Sequence, residues 1–277
     1  LKFSVLHKFG GSRSFHLAAL DGETMDYSED YQNTWEEAGF GGSWHISKNT
    51  NLYATVFNRA LEKDISSDEM AHPAIGMMYS KVIFVGDSRT AGIQATLNKQ
   101  MSSSVTNGVS FVANPGKGLS WFRDTGYAQL IEEIDKTEGS KPIAVIFNLG
   151  VNDLGNAGNY VSYMTSIAST LKSKNCKLFY MSVNPINSIM ITKAGRGART
   201  EAQVREFNSK IRSGLSLDYK YIDMYSVLMK KGYGTNARYD GVDDGDDGLH
   251  YTTKTFKRIY YYCITYLNTG SINASYY

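Results

Sequence analysis

Beyond residue 80, nearly continuous apolar segments alternate with segments in which apolar residues recur at helical spacing. Short, uninterrupted apolar segments are typical of parallel strands that are buried on both faces of a sheet. Strands that alternate with helices predict βαβ units and a doubly wound α/β sandwich. The five candidate strands are KVIFVG (81–86), VSFVA (109–113), PIAVIFNLG (142–150), KLFYMSV (177–183) and YKYIDM (219–224).

Three segments between or after these strands have one apolar face at helical spacing, which predicts helices packed on a core. They span residues 160–171, 204–211 and 256–267. Start signals precede two of them: Thr200 with Gln203 fits a capping box, and Thr252 or Thr253 fits an N-cap.

The first 80 residues have a different pattern. They hold four of the five histidines and the glycine-rich segment AGFGGSW, and their periodicity is weak. We expect short strands and loops there, with one helical piece near residues 66–78. We therefore divide the chain into an N-terminal extension (1–80), packed on the other part, and a main domain (81–277). A sugar-binding surface around Trp35 and Trp44 is an alternative role for the extension.

Composition excludes several classes of function. The chain has 277 residues, 42% of them apolar, enough for one large domain with an extension. The net charge is only +2 and basic residues are dispersed, so nothing favours nucleic-acid binding. No apolar segment is long enough to span a bilayer. Cys176 and Cys263 lack metal-ligand spacing and lie among apolar residues, so we expect two buried free thiols.

The compartment is predicted from weaker signals. No signal peptide is visible and the first residue is not Met, so we interpret the start as a cut end that says nothing about location. The chain is rich in tyrosine (20) and poor in proline (4), which is common in exported proteins that act on carbohydrate. We therefore expect a secreted or cell-envelope protein.

Polar and glycine-containing segments follow the predicted strands and precede the last helix. Ligands bind beyond the carboxyl ends of the strands in an open parallel sheet, so we consider these segments together. They are GDSR (86–89), NPGKG (114–118), GVND (150–153) and DGLH (247–250).

These segments supply the groups that serine catalysis needs. Ser88 by itself fits a helix N-cap as well as a nucleophile, because a hydroxyl reacts only when a base takes its proton. His250 is the only histidine after residue 80, and Asp247, three residues earlier, is placed to orient its ring. The Ser88 N–H, a glycine N–H of the second segment (Gly118, with Gly116 in reserve) and the Asn152 amide can converge on an oxyanion.

The four segments, in this order, resemble the blocks of the SGNH, or GDSL-type, hydrolase family. GVND and DGLH match the family pattern fully, whereas GDSR has Arg89 where leucine is usual and the second loop is shorter. The resemblance covers residues 81–268, about two thirds of the chain. It implies a three-layer, flavodoxin-like α/β/α fold with about five parallel strands. It also implies ester hydrolysis through an acyl-serine, with no cofactor and no metal.

Other polar and aromatic residues near these segments have open roles. Arg89 either pairs with Asp153 or another loop acid, or contacts a polar or anionic substrate. Trp121 and Tyr251 either stack on a sugar ring or belong to the core or a pocket wall. Asp87 and Asp153 are expected to bind loop N–H groups, as in Asx turns. The acidic run 240–247 is expected to be a solvated loop, since it lacks the EF-hand order, with calcium binding as the alternative.

The sequence thus predicts a serine esterase that removes a small acyl group, acetyl above all, from a carbohydrate. Within the enzymes, the alternatives are an O-acyltransferase acting on a cell-envelope glycan and a lipase or thioesterase of the same family. Outside the enzymes, the alternative is a glycan-binding protein that retains a relic site. The substrate is a small-molecule or glycan ester in each enzymatic case.

Overall fold

The computed structural model describes residues 78–100, 106–236 and 245–270, together with the backbone of five strands among the first 61 residues. The chain divides between Pro73 and Ala74 into two compact units, a few residues before the predicted boundary at residue 80. The predicted helical piece near 66–78 lies almost entirely outside the described residues, as do the side chains of Trp35 and Trp44. The packing of the extension on the main domain stays a prediction.

The N-terminal unit contains antiparallel strands. Strands β1, β2 and β3 form one sheet in that order, and β4 pairs with β5 in another. Their bounds are Lys2–Phe9 (β1), Ser12–Ala19 (β2), Thr24–Asp30 (β3), Trp35–Ser47 (β4) and Thr50–Leu61 (β5).

The second unit is built on a five-stranded parallel sheet, as the apolar segments predicted. Its strands run in the order β10–β9–β8–β6–β7, so the first strand of this unit lies inside the sheet. The chain adds one neighbour on one side of β6 and then three on the other, which is the flavodoxin-like order. The bounds are Lys81–Gly86 (β6), Val109–Ala113 (β7), Ile143–Asn148 (β8), Cys176–Met181 (β9) and Tyr219–Ile222 (β10).

Helices cover both faces of the sheet. A π-helical turn at Phe122–Gly126 joins α2 to α3, and a short antiparallel pair, β11 with β12, precedes the last helix. The bounds are Ser88–Gln100 (α1), Leu119–Trp121 (α2), Tyr127–Asp135 (α3), Ala157–Ser173 (α4), Ser188–Lys193 (α5), Glu201–Gly214 (α6), Met224–Lys231 (α7), Thr253–Thr269 (α8), Thr235–Asn236 (β11) and His250–Tyr251 (β12).

Two cores lie on opposite faces of the sheet, because successive side chains of a strand point to opposite sides. On one face, Val85 and Phe147 belong to a buried cluster with side chains of α3, α4 and α6. On the other, Phe84 packs against Tyr260 of α8. All six residues of β8 are buried. The three-layer α/β/α arrangement is therefore confirmed.

Local signals in the sequence also place the helix starts. Thr200 and Gln203 form the predicted capping box at the start of α6. Of the two candidates for the last helix, Thr252 is the N-cap and accepts a hydrogen bond from the Thr255 N–H. Cys176 and Cys263 are buried free thiols, as predicted. Within the described ranges, no helix is both long enough and apolar enough to cross a membrane.

Candidate active site

The sharp turn after β6 presents Ser88 at the start of α1. The strand ends at Gly86, Asp87 makes the bend, and Ser88 is the first helical residue. A side chain at position 86 would collide with Thr90 Oγ1 at 1.9 Å and with the Asn148 carbonyl oxygen at 2.6 Å, so only glycine fits there. Because the chain goes from β6 to β7 on one side and then to β8 on the other, the turn lies at the switch point of the sheet, where ligands bind.

Ser88 lies next to His250 and Asp247, which share one turn 162 residues later in the chain. His250 Nε2 lies 2.9 Å from Ser88 Oγ, and His250 Nδ1 lies 2.7 Å from Asp247 Oδ2. A carboxylate only accepts hydrogen bonds, so Nδ1 carries the proton and Nε2 is free to accept one from the hydroxyl. This is the geometry that an activated serine requires.

Asp247 is held in place and kept ionised. Its Oδ1 accepts the N–H groups of Leu249 and His250, each at 2.9 Å, and only 1% of the residue is exposed. Burial raises the pKa of this carboxyl, but the bonds from the His250 ring and from the two N–H groups outweigh it and lower the pKa below its ordinary value. Arg196 Nε lies 3.3 Å from Asp247 Oδ2 and adds a positive charge beside it.

The loops after β7 and β8 meet beside the serine turn. Asn152 Nδ2 donates to the Lys117 carbonyl at 2.9 Å, which ties the GVND loop to the NPGKG loop. A side chain at Gly118 would lie 2.4 Å from Asp153 Oδ2, so Gly118 packs directly on the residue after Asn152. Gly116, in contrast, has φ +74° and open space around it. The contacts favour Gly118 over Gly116 as the glycine next to Asn152.

The two predicted structural acids bind backbone N–H groups. Asp87 Oδ1 accepts the Arg89 N–H at 3.0 Å, the local turn that was expected. Asp153 instead bonds across the loops: its Oδ2 accepts the Leu119 N–H at 3.0 Å and its Oδ1 accepts the Tyr160 hydroxyl at 2.7 Å. Burial raises the pKa of Asp87 to about 6, although the Arg89 N–H and the charges of Arg89 and His250 lower it.

The Arg89 side chain is buried inside the protein, which contradicts the predicted substrate contact and the predicted pairing with Asp153. Pairing with an acid of residues 240–244 lies outside the described residues. Only 2% of the residue is exposed. Its Nε donates to the Leu249 carbonyl at 2.9 Å, and its Nη1 and Nη2 donate to the Asn184 and Pro185 carbonyls at 2.7 and 3.2 Å. The guanidinium also lies over the Tyr251 ring, 4.9 Å from its centre. It binds backbone inside the protein, and not Asp153.

The two aromatic candidates differ. Tyr251 is fully buried beneath Arg89 and its hydroxyl donates to the Pro185 carbonyl, so it belongs to the core and cannot stack on a sugar. Trp121 is partly buried against the core cluster, in α2 directly after the NPGKG loop. Its role as a pocket wall stays a prediction.

The acidic run lies mostly outside the described residues, which resume at Gly245. Within them, Asp246 Oδ1 accepts the Gly248 N–H at 2.7 Å and Asp247 binds His250. The described residues contain no group of three or more His, Cys, Asp or Glu side chains placed to hold a metal ion.

Residues 82–262 match the family model of the GDSL-like lipase/acylhydrolases, which is more than half of the chain. The chain belongs to the GDSL-like lipase/acylhydrolase family. It is therefore a carboxylic ester hydrolase, and the resemblance found in the sequence is confirmed. The matched residues contain the serine turn, the two loops and the histidine turn of this hydrolase.

Several solved structures are similar to the hydrolase at low sequence identity. A proposed SGNH hydrolase from Slackia heliotrinireducens is 12% identical, with a TM-score of 0.46, over 65% of this chain and 94% of that one. The esterase EstA from a Pseudoalteromonas species is 14% identical, with a TM-score of 0.41, over 69% and 100%. A Bacillus subtilis protein is 12% identical, with a TM-score of 0.43, over 93% and 69%. No curated protein matches the chain significantly.

Two arginines of the site were missed by the sequence analysis. Arg196 touches the carboxylate of Asp247, and Arg199 donates from Nη2 to Asn152 Oδ1 at 3.3 Å. Both lie in the segment between α5 and α6, where the sequence has no catalytic motif. Only the position of this segment, after the fourth predicted strand and thus near the carboxyl edge of the sheet, could have drawn attention to it.

Proposed function

We propose that this hydrolase cleaves short-chain acyl esters, with acetyl as the main acyl group and a carbohydrate as the carrier, through an acyl-enzyme at Ser88. The observation that carries the proposal is the continuous hydrogen-bonded series from Ser88 Oγ through His250 to Asp247. A serine hydroxyl with this partnership is the nucleophile of acyl transfer on several unrelated folds.

In the first half of the reaction, Ser88 Oγ attacks the ester carbonyl carbon while His250 Nε2 takes the hydroxyl proton. The carbonyl oxygen becomes an oxyanion, which the N–H groups of Ser88 and Gly118 and the Asn152 amide stabilise. The Ser88 N–H is suited to this, since the first N–H groups of a helix have no acceptor within the helix. The tetrahedral intermediate then expels the alcohol, which takes the proton from Nε2 and leaves an acyl-serine.

In the second half, a water molecule gives a proton to Nε2 and its oxygen attacks the acyl carbon. Collapse of the second tetrahedral intermediate releases the carboxylic acid and returns the proton to Ser88 Oγ. Asp247 stays ionised throughout and stabilises the imidazolium form of His250 in both halves.

A short acyl group is supported by the side chains around the site. Lys117, Ser120 and Arg196 are exposed and polar, and they lie on the segments that carry the oxyanion donors and Asp247. Of the four large apolar side chains that the structure describes as exposed, Met78 and Leu217 precede β6 and β10, at the opposite end of the sheet. Ile189 lies in α5, which begins beside Gly248 of the histidine turn. Among the described residues, Ile189 is a small apolar contact for a long alkyl chain, whereas a sugar would find several hydrogen-bonding groups.

The acyl preference is tested with p-nitrophenyl esters from acetate to decanoate. Each methylene buried in an apolar groove contributes about 0.8 kcal/mol, or roughly a fourfold gain in kcat/KM. We expect kcat/KM to fall beyond butanoate. A steady rise with chain length would reveal an acyl groove and refute the short-chain proposal.

The proposal that a carbohydrate carries the acyl group is tested by measuring acetate release from a panel of acetylated glycans, with and without a free acceptor sugar. Release from a glycan at a rate above that of simple alkyl acetates supports the carbohydrate carrier. If acetate appears on the acceptor sugar in place of solution, the enzyme is an O-acyltransferase and water is not the second substrate. Equal rates on glycans and alkyl acetates would contradict the proposal that a carbohydrate carries the acyl group.

A further inference from the structure

The Asn152 side chain is fixed from two sides by groups of opposite hydrogen-bonding character. On one side, the Lys117 carbonyl accepts from Nδ2 at 2.9 Å. On the other, Arg199 Nη2 donates to Oδ1 at 3.3 Å. A carbonyl only accepts and a guanidinium only donates, so a reversed amide would set oxygen against oxygen and N–H against N–H. Only one orientation of the amide satisfies both neighbours.

Arg199 also holds the backbone of the same loop. Its Nε donates to the Val151 carbonyl at 2.9 Å, and its Nη1 donates to the Arg196 carbonyl. Within the described residues, no salt bridge involves Arg199, and its hydrogen bonds go to carbonyl and amide oxygens. The guanidinium thus donates from three nitrogens to three different acceptors. This needs the rigid, planar arrangement of its N–H groups, which a lysine ammonium cannot reproduce.

We propose that Arg199 is a positioning residue for the oxyanion hole: it fixes the Asn152 amide so that one N–H of Nδ2 stays directed to the developing oxyanion. The inference rests on the proposed function, in which Asn152 is an oxyanion donor. Nδ2 has two hydrogens, and the Lys117 carbonyl takes one. Without Arg199, the amide is free to rotate and to present its oxygen to the oxyanion, which repels it.

A double-mutant cycle between Arg199→Met and Asn152→Ala tests the inference with p-nitrophenyl acetate as substrate. Misplacing a catalytic group by about 1 Å costs about 10²-fold in rate, so we expect a loss near that size in kcat for Arg199→Met, with little change in KM. In the Asn152→Ala background the same substitution should change kcat by less than about twofold, because the group that it positions is absent. Arg199→Lys should recover only part of the loss.

The matched control is Arg205→Met, at an exposed position of α6, which should leave kcat unchanged. Equal losses from Arg199→Met in both backgrounds would overturn the inference and assign Arg199 a role independent of Asn152. If Arg199→Met does not fold by circular dichroism, Arg199→Lys takes its place in the cycle, since it keeps the charge and the length. If Asn152→Ala itself leaves kcat unchanged, the proposed oxyanion hole is wrong, a result distinct from failure of the Arg199 inference.

Discussion

Arg89 Nε donates to the carbonyl oxygen of Leu249 at 2.9 Å, which joins the residue after the serine to the residue before the histidine. The two residues are 160 positions apart in sequence. The same guanidinium binds the Asn184 and Pro185 carbonyls after β9. Arg89, which replaces the usual leucine of the GDSL motif, therefore has a structural role: it connects the serine turn to the histidine turn.

Arg89→Leu should destabilise the protein strongly. Three buried carbonyls lose their donors, and each buried unsatisfied group costs about 1–3 kcal/mol. We expect a loss of several kcal/mol in the free energy of unfolding, measured by urea denaturation at neutral pH. Arg212→Leu, at an exposed site, is the control.

The same variant tests whether Arg89 contacts the acyl group. If the folded fraction of Arg89→Leu keeps the wild-type ratio of acetate to octanoate hydrolysis, Arg89 has no contact with the acyl group, as the structure indicates. An unchanged stability combined with faster octanoate hydrolysis would instead place the guanidinium in the acyl pocket.

Asn152→Ala should lower kcat by about 10²–10³ with little effect on KM, because an oxyanion donor acts mainly in the transition state. Steady-state kinetics with p-nitrophenyl acetate measure both constants. A rise confined to KM would show that Asn152 binds the ground-state substrate instead.

Asp247→Asn should reduce kcat by up to about 10⁴ while the fold is kept, because an amide at this position favours the wrong tautomer of His250. His250→Ala should be at least as severe, since the three residues act as a unit. Asp246→Asn is the matched control, because Asp246 is next to Asp247 and, among the described residues, accepts the Gly248 N–H. Similar activities of Asp247→Asn and Asp246→Asn would exclude Asp247 as the orienting acid.

Asp87→Asn should stabilise the protein at neutral pH but not in acid. Burial raises the pKa of Asp87 from 3.8 to about 6, so the folded state binds a proton more tightly than the unfolded state. Stability due to this group is present below the unfolded pKa and is lost as the pH rises through the folded pKa; the loss is about 3 kcal/mol. Asparagine keeps the acceptor for the Arg89 N–H and does not titrate.

Urea denaturation of both proteins across about pH 4 to 7.5 measures this difference. The free energy of unfolding of Asp87→Asn should exceed that of the wild type by an amount that grows as the pH rises and levels off above about pH 7. Asp124 provides a control, because its hydrogen bond to Arg123 lowers its pKa and its titration therefore lies below the measured range. The difference between the wild type and Asp124→Asn should stay nearly constant from about pH 4 to 7.5. A difference for Asp87→Asn that is constant with pH would show that its carboxyl titrates normally.

The sequence was sufficient for features that depend on local patterns. The five strands follow from uninterrupted apolar segments, and the capping box of α6 follows from Thr200 and Gln203. The four loop segments were expected to meet because parallel strands end at one edge of a sheet. The structure places Ser88, Asp247 and His250 in contact, although their catalytic roles stay to be tested.

The parts that the sequence could not supply depend on backbone atoms far away in the chain. Arg89 binds carbonyls 95, 96 and 160 residues distant, and a carbonyl has no sequence signature. Arg199 likewise binds the Val151 carbonyl 48 residues away, and this places its guanidinium beside the Asn152 amide. The choice between Gly116 and Gly118 needed the position of Asp153, which packs on one of them and leaves the other exposed to open space.

The central claim is that Ser88 is the nucleophile, and covalent labelling with a fluorophosphonate tests it most directly. Cleavage by trypsin after Lys81 and Arg89 releases the peptide VIFVGDSR, in which Ser88 is the only hydroxyl-bearing residue. We predict that the intact protein gains the mass of one phosphonyl group, that this peptide carries it, and that activity is lost in parallel. Ser88→Ala should gain no mass. Stoichiometric labelling of the Ser88→Ala variant, or inactivation of the wild type with the adduct on another peptide, would contradict the account.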